Sequence, residues 1–202
     1  MIRTSAYCPA RGKPLAGILV TMAAAGLVTL VLSNPVRSQD ATTSDALSRS
    51  VEELRTSVGT WNAVTEFLYD DGSVARSVEG TYEFQWVVPD RVVSGTSSIP
   101  ELEQVSAVLL YINEQEEIIE MVSVGSDGVL WTMTGALGGN VRTSQEYDTG
   151  NGPGQLRFTR YNVSADAFES RMEYTDDGGA TWKAGNHQVF RRAPDPTTGG
   201  NP

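Results

Sequence analysis

The side chains able to do acid–base, nucleophilic or metal chemistry are few and scattered along this chain. There is one histidine, His187, and one cysteine, Cys8. A structural zinc site takes about four ligands of Cys or His type, which such a composition cannot supply. The acid pairs Asp70-Asp71 and Asp176-Asp177 lie in turn sequences and offer oxygen ligands suited to weak calcium binding. His187 lies between Asn186 and Gln188, the setting of a solvated strand histidine. Glu114, Glu116, Glu117 and Glu120 form the densest acidic group. Paired carboxylates could serve acid–base catalysis, but these four straddle a turn between two apolar segments, where charge keeps a hairpin solvated. Arg157, Arg160 and Tyr161 are the remaining suspects for catalysis, as charged or phenolic groups on an otherwise apolar segment. No metal, cofactor or catalytic residue is expected from these patterns.

Binding is better served than catalysis. Tyr82, Phe84 and Trp86 alternate on one segment, Trp131 and Met133 on another, and Tyr111, Phe158, Met172 and Tyr174 recur at similar positions. Facing the inside of a closed sheet, such residues either fill it or line a ligand cavity. Both outcomes stay open at the level of sequence.

The elements that must position them follow from hydrophobic spacing. Leu47, Val51, Leu54 and Val58 share one face of a helix predicted over Thr43 to Val58. Ser44 or Asp45 can cap its start and Gly59 can end it. From Trp61 the period becomes two: Trp61, Ala63, Thr65, Phe67 and Tyr69 on one face, then the turn Asp70-Asp71-Gly72. The strand of Tyr82, Phe84, Trp86 and Val88 ends at Pro89-Asp90. Further strands are predicted over Arg91 to Ser98, Val105 to Ile112, Ile118 to Val124, Val129 to Thr134, Val141 to Tyr147, Gln155 to Val163, Ala167 to Thr175 and Trp182 to Arg191. About ten short strands joined by Gly, Asp and Asn turns predict an antiparallel meander. Closing it into an up-and-down barrel removes the two exposed edges.

The N-terminus reads as a leader. Arg3, Arg11 and Lys13 precede an apolar run from Leu15 to Leu32, and Ser33, Asn34 and Pro35 end it. Val36 and Ser38 are small enough for cleavage after Ser38, giving a signal peptide over 1–38. An uncleaved membrane anchor is the rival, because the run approaches bilayer-spanning length. Cleavage removes four cationic residues and no carboxylate, taking the net charge from −10 to −14. Such acidity, without a basic cluster, excludes nucleic acid as a partner. The remaining chain divides into a flexible linker over 39–46, one barrel domain over 47–192 and a disordered tail over 193–202. Periplasmic or extracellular localisation is expected. Oligomeric state is not legible.

Val58-Gly59-Thr60-Trp61, the strand Gly80-x-Tyr82-x-Phe84-x-Trp86, the hairpin Asp177-Gly178-Gly179-x-Thr181-Trp182 and the terminal Phe190-Arg191-Arg192 together resemble the calycin superfamily of lipocalins and fatty-acid-binding proteins. Within it the chain is similar to a bacterial lipocalin-like family of unknown function. The resemblance implies a structural barrel closure, in which Gly59 precedes Trp61 and a basic side chain from the last strand, Arg191 or Arg192, lies across the indole. It also brings a haem-ligand reading for His187, since some haem-binding relatives place an axial ligand on that strand, but the rest of their pocket motif is missing. The Asp177 hairpin matches a propeller Asp-box in a single copy, which marks a tight turn rather than a propeller.

Three functions follow as expectations. The first is an exported lipocalin-like protein binding a small hydrophobic or aromatic molecule inside the barrel. The second is a structural or interaction protein of the cell envelope with a filled barrel. The third, least favoured, is a barrel enzyme of isomerase or lyase type.

Overall fold

The computed structural model describes residues 37–150 and 152–194, with side chains from Thr43 onward. One helix, α1 (Arg37–Ser57), leads into eleven strands: β1 (Gly59–Leu68), β2 (Val74–Val88), β3 (Val92–Ile99), β4 (Gln104–Asn113), β5 (Ile118–Gly125), β6 (Leu130–Ala136), β7 (Val141–Ser144), β8 (Tyr147–Asp148), β9 (Pro153–Tyr161), β10 (Ala167–Thr175) and β11 (Lys183–Arg192). A single 3-10 turn, Pro100–Leu102, joins β3 to β4. The expected leader lies outside the described residues except for its last two positions, as does the tail from Asp195. Among the described residues no helix is long and apolar enough to cross a membrane.

Each strand from β1 to β6 pairs antiparallel with the next, β7 pairs β9, β9 pairs β10, β10 pairs β11, and β11 returns to β1. Ten strands therefore close into a barrel, and the two-residue β8 hangs on β9 as a spur. The expected strand Val141 to Tyr147 is divided into β7 and β8, and two longer shifts of boundary occur. The helix starts at Arg37, so the segment 39–46, expected to be a linker, is helical, and Ser44 and Asp45 lie inside α1 rather than at its cap. Strand β2 begins at Val74, because Val74 to Glu79 continue the ladder with β1 down to Leu68. Their own residues alternate too weakly to announce this.

Helix α1 closes one end of the barrel. Leu54 is fully buried in a core with Val93, Leu110, Ile112, Ile119 and Leu137, and Leu47, Val51 and Val58 pack against it. The helical stripe is thus the stripe read from spacing. Polar ties run from the same helix to three connections at that end: Arg55 Nε to Asp90 Oδ1 at 2.9 Å, Thr43 Oγ1 to Glu117 Oε1 at 3.3 Å, and the Gly138 amide to Ser50 Oγ at 2.8 Å. The opposite end carries the β1–β2, β3–β4, β5–β6 and β10–β11 connections.

Trp61 is fully buried, and its indole Nε1 donates to the Ser57 carbonyl at 2.8 Å. Arg192 lies over the ring at 4.2 Å and donates through Nη1 to the Val58 carbonyl at 3.0 Å. Of the two basic candidates Arg192 makes this closure, because it is the register partner of Trp61, while Arg191 pairs with Asn62 on the outer face and is exposed. Gly59 has φ +126°, and a side chain there would run into the Arg192 guanidinium. A second apolar cluster of Trp61, Ala63, Phe168 and Phe190 fills the barrel beside the helix.

Candidate functional site

Above that cluster the barrel is not filled. A cavity of about 400 Å³ lies between the walls, bounded by residues of β1 to β5, β7 and β9 to β11 and by Glu53 and Ser57 of α1. Its apolar surface comes from Phe67, Phe84, Val108, Leu110, Met121, Phe158 and Met172, and its polar surface includes Thr65, Ser97, Ser106, Ser123, Asn186 and Gln188. Pockets for small molecules run from roughly 300 to 1,000 Å³, so one compact organic molecule fits.

The polar lining is organised. Gln188 donates through Nε2 to Thr65 Oγ1 and to the Tyr82 hydroxyl, each at 2.9 Å, and accepts from Ser170 Oγ at 3.2 Å. Burial pushes the Tyr82 phenol above its ordinary value, with the Gln188 hydrogen bond opposing, so Tyr82 serves as a neutral hydroxyl.

Among the described residues the charged lining consists of three side chains. Arg142 is 1% exposed and Arg160 is 5% exposed, yet both reach the barrel interior. Glu53 stands between them. Its carboxylate accepts two bonds from Arg142 Nη2, both at 2.8 Å, and lies 3.8 Å from Arg160 Nη1. Arg160 also donates to the Glu53 carbonyl at 3.1 Å and to Thr56 Oγ1 at 3.3 Å, and its guanidinium covers the Phe168 ring at 4.2 Å. Burial lowers the Arg160 pKa; Glu53 opposes that shift and the neighbouring Arg142 adds to it. Two cations therefore share one carboxylate. The Nε atoms of both arginines, and Asn186 Oδ1, are buried without a hydrogen-bond partner among the described residues.

Four of the nine aromatic and methionine candidates line this cavity: Tyr82, Phe84, Phe158 and Met172. The other five lie elsewhere: strand phase turns Tyr111 outward, whereas Trp86, Trp131 and Tyr174 are in step with Phe84, Met133 and Met172 and differ from the lining residues in position along their strands. Tyr111 falls between the inward Leu110 and Ile112, so it points outward and its hydroxyl meets the Glu120 carboxylate. Trp86 packs into the helix-side core. Met133 is buried but apart from the cavity lining, Trp131 stacks edge-on against Tyr147 of β8 at 5.4 Å, and the Tyr174 hydroxyl donates to Asp70 at 3.2 Å.

The remaining candidates separate. Only Arg160 of the three enzyme suspects faces inward. Arg157 pairs with Glu173 on the outer face at 2.8 Å, under Trp182, and Tyr161 stacks on His187 at a ring separation of 6.3 Å. His187 also faces outward, held at Nδ1 by Glu66 at 3.1 Å and at Nε2 by Glu169 at 2.8 Å. It is part of a hydrogen-bonded network on the outer face rather than an interior ligand. The four glutamates of the β4–β5 hairpin take separate partners: Glu114 meets Arg91, Glu117 meets Thr43, Glu120 meets Tyr111, and Glu116 uses its backbone amide on Asn113. Asp177 holds its own hairpin through Thr175 and Thr181.

Sequence reasoning missed Glu53, Arg142 and the interior serines. Glu53 was the neighbour of a core leucine, and nothing in its own spacing marks it. On β7 the apolar Val141 is 40% exposed and Arg142 is buried, the reverse of the expected pattern. The phase comes from β6, where the buried Met133 pairs with Ser144 and so turns Arg142 inward.

No protein-family model and no curated protein matches the sequence. Solved structures similar to the fold include a protein of unknown function from the DUF3598 family of Nostoc punctiforme PCC 73102, with 12% identity, 69% of this chain and 49% of that chain covered, and a TM-score of 0.44. This chain thus spans about half the length of that protein. The S-type phycobiliprotein lyase CPES from Guillardia theta is similar at 14% identity, over 76% and 98% of the two chains, with a TM-score of 0.46. EF1p2_mFAP2b bound to DFHBI is similar at 16% identity, over 73% and 99%, with a TM-score of 0.37.

Proposed function

We propose that this chain is an exported, lipocalin-like binding protein that holds one small hydrophobic or aromatic molecule inside its barrel, and that it belongs with bacterial lipocalin-like proteins of unknown function. The single observation behind the reading is the cavity of about 400 Å³ inside a closed barrel capped by α1. A barrel serving only as scaffold gains by filling such a space, since each missing contact weakens the core. Export rests on the apolar run Leu15 to Leu32 and the small residues before Gln39.

The test is mass spectrometry of small molecules released from protein purified out of its native envelope, followed by thermal-shift and tryptophan-quenching titrations. A binding protein should release a stoichiometric compound that raises the Tm when added back. If nothing is released and a broad apolar and aromatic panel gives neither quenching nor thermal shift, the reading fails.

One observation favours the interaction-protein alternative. Val105, Leu109, Val124 and Leu130 form an outward apolar patch on β4 to β6, with Val124 pairing Leu130 across strands and all four at least 37% exposed. Pull-down of a ligand-free protein partner, lost in Val105→Lys, would carry that reading instead.

A further inference from the structure

Resting on the binding reading, we infer that the molecule held in this barrel is a compact organic acid, its anionic head set against Arg142 and Arg160 and its body bearing a hydroxyl or N–H donor for Asn186.

The charge count inside the barrel is the first step. Among the described residues, Glu53, Arg142 and Arg160 are the charged ones lining the cavity, so together they leave one uncompensated positive charge. The whole chain has a net charge of −10. A lone positive interior in a strongly acidic protein is not a by-product of composition. Each desolvated ion costs several kcal/mol unless paired and hydrogen-bonded, and Glu53 can neutralise only one of the two guanidiniums. The unpartnered Nε of each arginine shows that hydrogen bonding within the protein is incomplete as well. Burial, with Arg142 alongside, lowers the Arg160 pKa despite Glu53. A carboxylate presents two acceptor oxygens to such forks and supplies the absent charge.

The body of the ligand follows from the barrel rows. Arg142, Phe158, Met172, Asn186 and Phe67 are successive cross-strand partners. The row therefore runs from a cation through apolar side chains to an unsatisfied amide oxygen. Asn186 Oδ1 accepts from a donor, and no described protein group offers one. Ser97, Ser106 and Ser123 line the wall contributed by β3, β4 and β5. Hydroxyls there disfavour a plain alkyl chain, which would leave them desolvated without partners. An aromatic or alicyclic acid carrying its own donor satisfies both ends of the row.

Matched probes separate the parts. We would titrate the full protein with indole-3-propionate, with 3-(indol-3-yl)propanol, and with 1-naphthalenepropionate, following tryptophan quenching and calorimetric heat. The propionate should bind about 10- to 100-fold more tightly than the propanol, the range set by hydrogen bonds to a charged group. The naphthyl acid, which lacks the N–H, should fall between them. Arg160→Met leaves the Glu53–Arg142 pair electroneutral, and in it the affinity of the propionate should drop to that of the propanol. Arg160→Lys keeps the charge and should retain part of the preference, which guards against loss through misfolding alone. Equal binding of propionate and propanol to the wild type overturns the acid inference while leaving a binding barrel intact. Binding of neither, together with a silent apolar panel, overturns both.

Discussion

Replacing Glu53 by Gln tests how dry the charged end of the barrel is. The substitution keeps shape and one acceptor oxygen but removes the charge that two arginines share. Arg142 is 1% exposed and donates two 2.8 Å bonds to that carboxylate, and Arg160 Nη1 stands 3.8 Å away. Breaking a buried ion pair from one side costs about 3–5 kcal/mol, because the partner is left desolvated and unpaired. At roughly 2–4 °C per kcal/mol for a domain of this size, the Tm should fall by about 6–20 °C. The comparison is Asp90→Asn, which breaks the Arg55 pair between side chains 54% and 44% exposed; solvent screens such an exposed pair, so its loss should barely move the Tm. The double variant Glu53→Gln/Arg142→Met should recover much of the loss, since apolar replacement of a buried pair is often neutral or stabilising. Urea and thermal unfolding followed by circular dichroism give all four numbers. A Glu53→Gln variant as stable as Asp90→Asn, or a double variant no better than the single, refutes the idea of an interior with unscreened charge.

Trp61→Ala should cost about 3–5 kcal/mol in urea unfolding, the usual loss for a buried aromatic side chain, because Trp61 is fully buried between Phe168 and Arg192; an unchanged midpoint would contradict its role in closure. Hydrogen bonds from the Thr181 hydroxyl and amide and from Thr175 hold the Asp177 carboxyl well below its ordinary 3.8. Its folded pKa is depressed, so its stabilisation is present above 3.8 and disappears as the pH falls through the folded value. Asp177→Asn should therefore lower the Tm at neutral pH, and the gap to wild type should close in strong acid; a gap independent of pH would show that the charge is irrelevant. Intact-mass analysis of exported protein should begin near Gln39 if the leader is cleaved after Ser38, whereas the full-length chain in the membrane fraction indicates an anchor.

The barrel was largely readable because its signals are repetitive. Period-two alternation, turn residues and the Trp61 position each mark a strand or its start, and one misjudged boundary, such as the early start of β2 at Val74, does not alter closure. The site was not readable for a related reason. Which face of a strand looks inward is set by register with its neighbours, and a short strand obeys them over its own composition. Strand β7 has four residues, and its phase follows Met133 of β6, so Arg142 is buried and Val141 exposed. Tyr111 shows the converse: flanked by two apolar residues that both belong inside, it had to face out. Of the two basic residues ending the chain's last strand, only the partner register with Trp61 chose Arg192.

Helix α1 turns a closed barrel into a site by serving two environments at once. Successive helical residues point about 100° apart, so Leu54 can anchor the apolar core while its neighbour Glu53 faces the cavity, and Ser57, one turn on, faces it as well. The residue that neutralises half of the interior charge is therefore carried by the element that plugs the barrel end. Undocking the helix would withdraw Glu53 from Arg142 and simultaneously expose Leu54, Val51 and Leu47 to water. The two penalties fall together, which couples the electrostatics of the cavity to the packing of the plug. An acid bound beside Arg160 adds a second tie: it supplies the charge that Glu53 alone cannot, and a ligand that binds only the assembled site stabilises the docked helix with it. Capping and ligand recognition are in this sense one structural element, and a substitution that loosens α1 should weaken both.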